Sequence, residues 1–197
     1  MKTVLALLAM VVPVGAMPGA PKNPVVKIET RLGAIVVEIN AKHAPATAAN
    51  FLWYVDAKQY RGGRFHRTVK PDNQPNNNVK IEVVQAGVNP KFEEKGQPAI
   101  KLERTSQTGL KHLDGTISMA RLGPDTATSD FFICIGDQPE LDFGGKRNPD
   151  GQGFAAFGRV TKGMDVVRKI QMAPANAQAL EPPVEILSIS RLAAVRR

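Results

Sequence analysis

The residues of this 197-residue chain that could serve nucleophilic or metal-assisted catalysis do not stand in the spacings that such chemistry needs. The three histidines, His43, His66 and His112, stand far apart, without the short spacings that bring ligands to one metal ion. Neither the GxSxG pattern of a serine nucleophile nor the HExxH pattern of a zinc protease occurs. The single cysteine, Cys134, lies between two isoleucines and lacks the polar neighbours that activate a thiol. An enzyme built from this chain is therefore expected to act by binding and electrostatics, without a metal or cofactor.

Two stretches hold the remaining candidates for chemistry. The first is the basic segment Arg64 to Arg67, which contains an aromatic residue. The second, about fifty residues downstream, reads GTISMARLGPDTATSDFFICIG from Gly115 to Gly136. Its two apolar runs, at 116–120 and 131–135, predict buried strands, and the polar, turn-rich residues between them predict a connecting loop.

The elements that must position these residues are mainly short strands. Alternating residues predict an antiparallel hairpin from 25–30 and 34–39. Pro45 begins a helix whose apolar stripe runs from Ala48 to Val55 and is widened by Trp53 and Tyr54. Further strands are expected at 64–69, 81–86, 100–104, 154–160 and 184–193, and a second helix at 163–172. About eight strands and two helices indicate one domain, either a closed barrel or a sandwich.

Five short motifs occur in the order typical of one family: Phe65-His66-Arg67, Gln85-Ala86-Gly87, Ile117-Ser118-Met119-Ala120, Ser129-Asp130-Phe131-Phe132-Ile133 and Phe157-Gly158-Arg159-Val160. From about Val25 onward the chain resembles a cyclophilin, a peptidyl-prolyl cis-trans isomerase. The resemblance implies a closed eight-stranded antiparallel β-barrel capped by two α-helices, with a packed interior and substrate on an outer face. It also implies a monomer that acts on proline-containing polypeptides.

The resemblance implies that Arg67 is the catalytic arginine and that Gln85 orients it and contacts substrate. Phe132 matches the floor of the proline pocket, and Leu141 matches a pocket wall. The other expected substrate-binding residues are Phe65, His66, Val83, Ala120, Arg121, Asp130 and Phe154. Within that set, Ala120 and Arg121 would act chiefly through the main chain, and Phe65 and His66 would support the site. The residues alone leave ordinary strand and core roles open for each position.

Several positions depart from the family pattern. Glu82 falls where a pocket phenylalanine is usual, Asp130 replaces a glutamine, and Glu140 falls where many members have tryptophan. Phe154 replaces a common histidine, and the loop 70–80 is long. We therefore expect a more acidic pocket, in which Asp130 attracts Arg67, favours basic substrates or, as a solvated carboxylate, has no influence. A proline-peptide binder or holdase-type chaperone with weak or no isomerase activity is the alternative function.

The N-terminus predicts export. Lys2 precedes an apolar stretch, Val4 to Val14, and Val14-Gly15-Ala16 fits a small-residue cleavage site. We assign residues 1–16 to a signal peptide, 17–24 to a flexible leader and 25–197 to the isomerase domain, with the periplasm as the expected compartment and no membrane span after cleavage. The net charge of +8 is scattered, without a block of five basic residues, so no nucleic-acid partner is expected.

Overall fold

The computed structural model describes residues 23–193. The signal segment 1–16 and most of the leader 17–24 lie outside the described residues. The last leader residue joins the fold, because the Pro24 carbonyl accepts a hydrogen bond from the Ile39 N–H at 2.8 Å. Among residues 23–193, no helix is long and apolar enough to cross a membrane.

Eight antiparallel strands close into a barrel. The strands of the sheet are β1 Val25–Thr30, β2 Gly33–Ile39, β3 Gly63–Val69, β4 Val83–Gly87, β5 Thr116–Met119, β6 Phe131–Cys134, β7 Ala155–Lys162, β8 Ala175–Asn176 and β9 Ala179–Arg191. The barrel strands follow one another in space as β1, β2, β7, β5, β6, β4, β3 and β9, and β9 pairs back onto β1. The short extra strand β8 pairs with β9 alone. The barrel prediction is confirmed, and the sandwich alternative is excluded by the β1–β9 pairing.

Two main helices pack on the barrel, and a third is a single turn. They are α1 Pro45–Asp56, α2 Thr105–Thr108 and α3 Met164–Gln171. The strand expected at 100–104 is wrong: Ile100 forms one isolated bridge with Ala127, and the Leu102 N–H donates to Asp125. Apart from that single bridge, residues 100–104 pair with no strand of the barrel, whose strands already have neighbours on both sides.

Aromatic side chains fill the barrel interior and fasten α1 to it. The ring of Phe51 lies 5.5 Å from those of Tyr60 and Phe131 and 5.2 Å from that of Phe157, all centroid to centroid. All four side chains are almost completely buried. Trp53 does not widen this stripe as expected, because it lies on the outer side of α1 and is 38% exposed.

We expect Phe51→Ala to lower the free energy of unfolding by about 3–5 kcal/mol, because it removes the ring at the centre of this aromatic cluster. Trp53→Ala, two residues along the same helix, is the matched control and should cost less than half as much. Urea unfolding followed by circular dichroism measures both. Equal losses in the two variants would show that the cluster does not hold α1 in place.

Candidate active site

A pocket of about 400 Å3 opens on the outer face of the barrel. Its lining contains every site residue predicted from the sequence except Phe65 and His66. Those present are Arg67, Val83, Gln85, Ala120, Arg121, Asp130, Phe132, Leu141 and Phe154. Strands β3, β4 and β6 lie side by side here, so residues distant in sequence meet on one surface.

A β-bulge in β3 turns Arg67 toward this pocket. Phe65 pairs with Ala86 and Arg67 pairs with Gln85, so His66 is an extra residue without a partner in either neighbouring strand. One inserted residue reverses the alternation of side chains, so Arg67 does not share the face of Phe65. This corrects the expectation for Phe65, whose side chain is fully buried in the barrel interior and cannot contact a peptide on the outer face.

His66 lies beside the pocket without lining it. Its Nε2 is 3.6 Å from Asp130 Oδ2, and both side chains are more than one-third exposed. The structure therefore places His66 in contact with a pocket residue, which fits a supporting role. It does not place His66 against the space that a substrate would occupy.

Two amide oxygens hold the Arg67 guanidinium. Its Nε and Nη2 donate to Gln178 Oε1 at 2.9 and 2.7 Å, and its Nη1 donates to Gln85 Oε1 at 3.1 Å. Gln178 is fixed in turn by donating to the Asn73 carbonyl. Burial lowers the pKa of Arg67 from its ordinary value, although a guanidinium stays charged in proteins. Sequence reasoning missed Gln178, which sits in a turn 111 residues from Arg67 without a motif of its own.

Asp130 reaches Arg67 only through Gln85. The Gln85 Nε2 donates to Asp130 Oδ2 at 3.1 Å, while the oxygen of the same amide accepts from Arg67. No salt bridge joins Asp130 to Arg67 within residues 23–193, so the expected direct attraction is replaced by a relay. Burial raises the pKa of the Asp130 carboxyl, and the hydrogen bond from Gln85 and the nearby His66 act in the opposite direction.

The pocket floor is apolar and rigidly supported. Phe132 meets Phe154 edge to face, with ring centroids 5.3 Å apart, and Leu141 is 1% exposed. Phe131 points into the barrel and Phe132 out of it, as expected for neighbours on a strand. On its other side, Phe132 stacks on His112, with ring centroids 6.0 Å apart.

His112 belongs to a buried polar network. Its Nδ1 lies 2.8 Å from Asp142 Oδ1, and its Nε2 lies 3.0 Å from Ser118 Oγ. Burial opposes ionisation of Asp142, but the hydrogen bonds from His112 hold the pKa of this carboxyl below its usual range. Ser118 is completely buried, so no substrate reaches its hydroxyl, and the network supports the pocket floor from below.

Glu82 does not face the pocket, which corrects the expectation of an acidic wall there. Its Oε2 accepts a hydrogen bond from Gln171 Nε2 of α3 at 2.8 Å. Alternation along the chain turns Ile81 and Val83 outward, and both line the pocket. Ile81 is a pocket residue that the sequence analysis missed, because the pocket position was assigned to its neighbour Glu82.

Glu140 also does not line the pocket. Its carboxylate accepts from the Lys146 N–H at 2.7 Å, within its own loop. Arg121 lines the pocket with a side chain that is 1% exposed and bound to Asp150 and the Gly153 carbonyl. This guanidinium is already fully engaged in holding the loop beside Phe154, which agrees with a main-chain role for Arg121 toward a peptide.

Comparison with known proteins identifies the family. Residues 25–191 match the family model described as cyclophilin type peptidyl-prolyl cis-trans isomerase. The chain is 35% identical over 173 residues to a peptidyl-prolyl cis-trans isomerase of Acinetobacter baylyi, covering 85% of each chain. It is 36% identical over 147 residues to such an enzyme of Streptomyces antibioticus, covering 74% of this chain and 82% of that one.

A solved structure shows the same fold. The crystal structure of a Cryptosporidium parvum cyclophilin type peptidyl-prolyl cis-trans isomerase superposes with a TM-score of 0.70 and 22% identity, over 87% of this chain and 99% of that one. The family match covers nearly all of the described residues. The closed barrel and the arginine that a bulge turns into an outer pocket are consistent with that match. The chain belongs to the cyclophilin-type peptidyl-prolyl cis-trans isomerase family.

Proposed function

We propose that Arg67 accelerates rotation about X–Pro bonds by stabilising the twisted amide. Rotation about a peptide bond costs ~18–20 kcal/mol because the C–N bond has partial double-bond character. In the twisted state conjugation is lost and the prolyl nitrogen becomes pyramidal and basic. A cationic donor beside that nitrogen stabilises the twisted state more than either planar isomer, and this difference is what lowers the barrier.

The observation that carries this proposal is that neutral side chains hold the Arg67 guanidinium. Both of its side-chain partners, Gln178 and Gln85, accept through amide oxygens, so they fix its position without cancelling its charge. Three directed hydrogen bonds also prevent the side chain from swinging into solvent. A positioned, uncancelled charge on a half-buried guanidinium is the arrangement that electrostatic catalysis requires.

The apolar floor gives the proline ring a place beside that charge. Phe132, Phe154 and Leu141 form a surface that a pyrrolidine ring would cover on binding, which favours proline over polar residues. A Cryptosporidium parvum relative was crystallised in the presence of the dipeptide Ala-Pro, which supports an X–Pro peptide as the ligand of this pocket. Glu82 points away from the pocket, which removes one of the reasons for expecting a peptide binder without isomerase activity.

We expect Arg67→Ala to lower kcat/KM on a short Ala-Pro peptide at least tenfold. Tenfold corresponds to ~1.4 kcal/mol of transition-state stabilisation, a modest amount for a charged donor. Exchange spectroscopy by NMR or a protease-coupled assay measures the rate. Peptide affinity should change less than kcat, because the charge acts mainly on the twisted state.

The control for this experiment is Arg159→Ala, which removes an exposed arginine of β7 outside the pocket. It should keep wild-type activity. Near-normal turnover in a correctly folded Arg67→Ala variant would reject Arg67 as the catalytic group. Peptide binding by the wild type without any acceleration would favour the chaperone alternative.

Asp130 is proposed to position Arg67 through Gln85. An ionised carboxylate accepts hydrogen bonds only, so it fixes the Gln85 amide with its nitrogen toward Asp130 and its oxygen toward Arg67. Burial raises the pKa of Asp130, so ionising it in the folded protein costs free energy. Asp130 therefore supports the site at some expense to stability.

We expect Asp130→Asn to stabilise the protein at pH 7 and to have progressively less effect as the pH falls. Because the folded pKa is raised, the folded state binds the proton more tightly than the unfolded state, and wild-type stability declines as pH rises through the folded pKa. Asparagine does not titrate, so the stability of the variant does not decrease in this way. Thermal unfolding between pH 4 and pH 7 measures the difference between the two proteins. A difference that grows toward acid pH would contradict the assignment.

Export to the periplasm is the proposed location, supported by the charge, length and small residues of the segment 1–16. We expect protein isolated from the native cell envelope to begin at Met17. Mass spectrometry of the intact protein measures the N-terminus, and the same gene expressed without its first sixteen codons provides the mass standard. An N-terminus at Met1 in the envelope fraction would argue for an uncleaved anchor.

A further inference from the structure

A second guanidinium, that of Arg147, lines the same pocket as Arg67. It comes from the long connection between β6 and β7 and is partly buried. Its Nη1 donates to Gln74 Oε1 and to the Val79 carbonyl, each at 2.7 Å. Both acceptors belong to the loop 70–80, so Arg147 fastens that loop against the pocket.

Most of the hydrogen-bonding capacity of Arg147 is unused. Within residues 23–193, neither its Nε nor its Nη2 makes a hydrogen bond, and no carboxylate oxygen lies within 4.0 Å of its nitrogens. Arg121 differs, because its guanidinium is paired with Asp150 and the Gly153 carbonyl. Burial lowers the pKa of Arg147. The positive charge of Arg67 lowers it too, because the two guanidinium groups line the same pocket. An anion at this place would relieve an unfavourable charge arrangement.

The charges of the pocket are separated along the chain segment from Ile81 to Gly87. At one end, Gln74 binds both Arg147 and the Ile81 carbonyl, which puts Arg147 beside Ile81. At the other end, Asp130 covers Gly87 so closely that no β-carbon would fit there. Arg67 stands between the two ends, opposite Gln85. The pocket is therefore positive at the Arg147 end and negative at the Asp130 end.

We propose that Arg147 is a specificity-determining residue that selects substrates with an acidic side chain next to the proline. With the proline ring over Phe132, a neighbouring Asp or Glu carboxylate accepts hydrogen bonds from the unused donors of Arg147. Guanidinium and carboxylate match in geometry, and such charge-assisted pairs are stronger than neutral ones. This inference rests on the proposed function, because it takes the proline ring to occupy that pocket.

The test compares peptides with blocked ends that carry Glu or Gln on either side of the proline, so that a side-chain carboxylate is the only difference. For the wild type at low salt, we expect kcat/KM to favour Glu over Gln about tenfold at one of the two positions. Arg147→Gln should bring this ratio close to one, and because the ratio compares two peptides on the same variant, a general change in rate does not affect it. Arg147→Lys, which keeps the charge, should retain part of the preference.

Lys146→Gln is the matched control, because it removes the same charge from the preceding, exposed residue, which does not line the pocket. It should keep the full Glu preference. The ratio should also shrink in high salt, since a partly exposed ion pair is screened. A wild-type ratio near one, or a ratio that survives in Arg147→Gln, would overturn the proposal.

Measuring the dissociation constants of the same peptides by calorimetry separates this inference from the proposed function. If no peptide is isomerised yet the Glu peptide binds more tightly in an Arg147-dependent way, the isomerase mechanism fails and the selectivity of Arg147 stands. If all peptides are isomerised with equal constants and equal affinities, the isomerase mechanism stands and the selectivity is wrong.

Discussion

Closure of the barrel by the pairing of β1 with β9 is the constraint on which the rest of the molecule depends. Once the sheet is closed, its interior is filled by side chains such as Phe51, Phe131 and Phe157, which leaves the outer face for ligands. Function is therefore confined to the outer face. A side chain of the barrel that takes part in function must occupy a strand position that faces outward, or an irregularity in the strand must turn it outward.

The bulge at His66 is that irregularity. It permits Phe65 to complete the core while Arg67, only two residues later, faces the pocket. The partners of Arg67 leave its charge available, because amides bind the guanidinium and Gln85 stands between it and the Asp130 carboxylate. The site thus depends as much on the neutral residues around the arginine as on the arginine itself.

Most of the barrel and the centre of the site could be predicted from the sequence. The strands and the ordered motifs around Arg67, Gln85 and Phe132 are local signals, and the structure brings these residues together. What the sequence did not reveal depends on contacts between distant loops. Gln178 and Arg147 carry no motif. Gln178 meets Arg67 and Arg147 lines the pocket, each from a loop that is hydrogen-bonded to residues 70–80. The bulge shifts the register of β3 by one residue, and counting along the sequence cannot detect such a shift.

The buried network of Ser118, His112 and Asp142 shows how much accessibility decides what a constellation of residues does. Its distances, 3.0 Å from Ser118 to His112 and 2.8 Å from His112 to Asp142, are those of a hydrolytic triad. Here the serine is completely buried, and the ring of Phe132 stacks on the histidine, so a substrate cannot reach the hydroxyl. A search for active sites by interatomic geometry alone would select this network as a hydrolase. Because the core encloses them, the same three side chains form a structural hydrogen-bond network instead. Access to solvent thus decides whether such a group is reactive or structural.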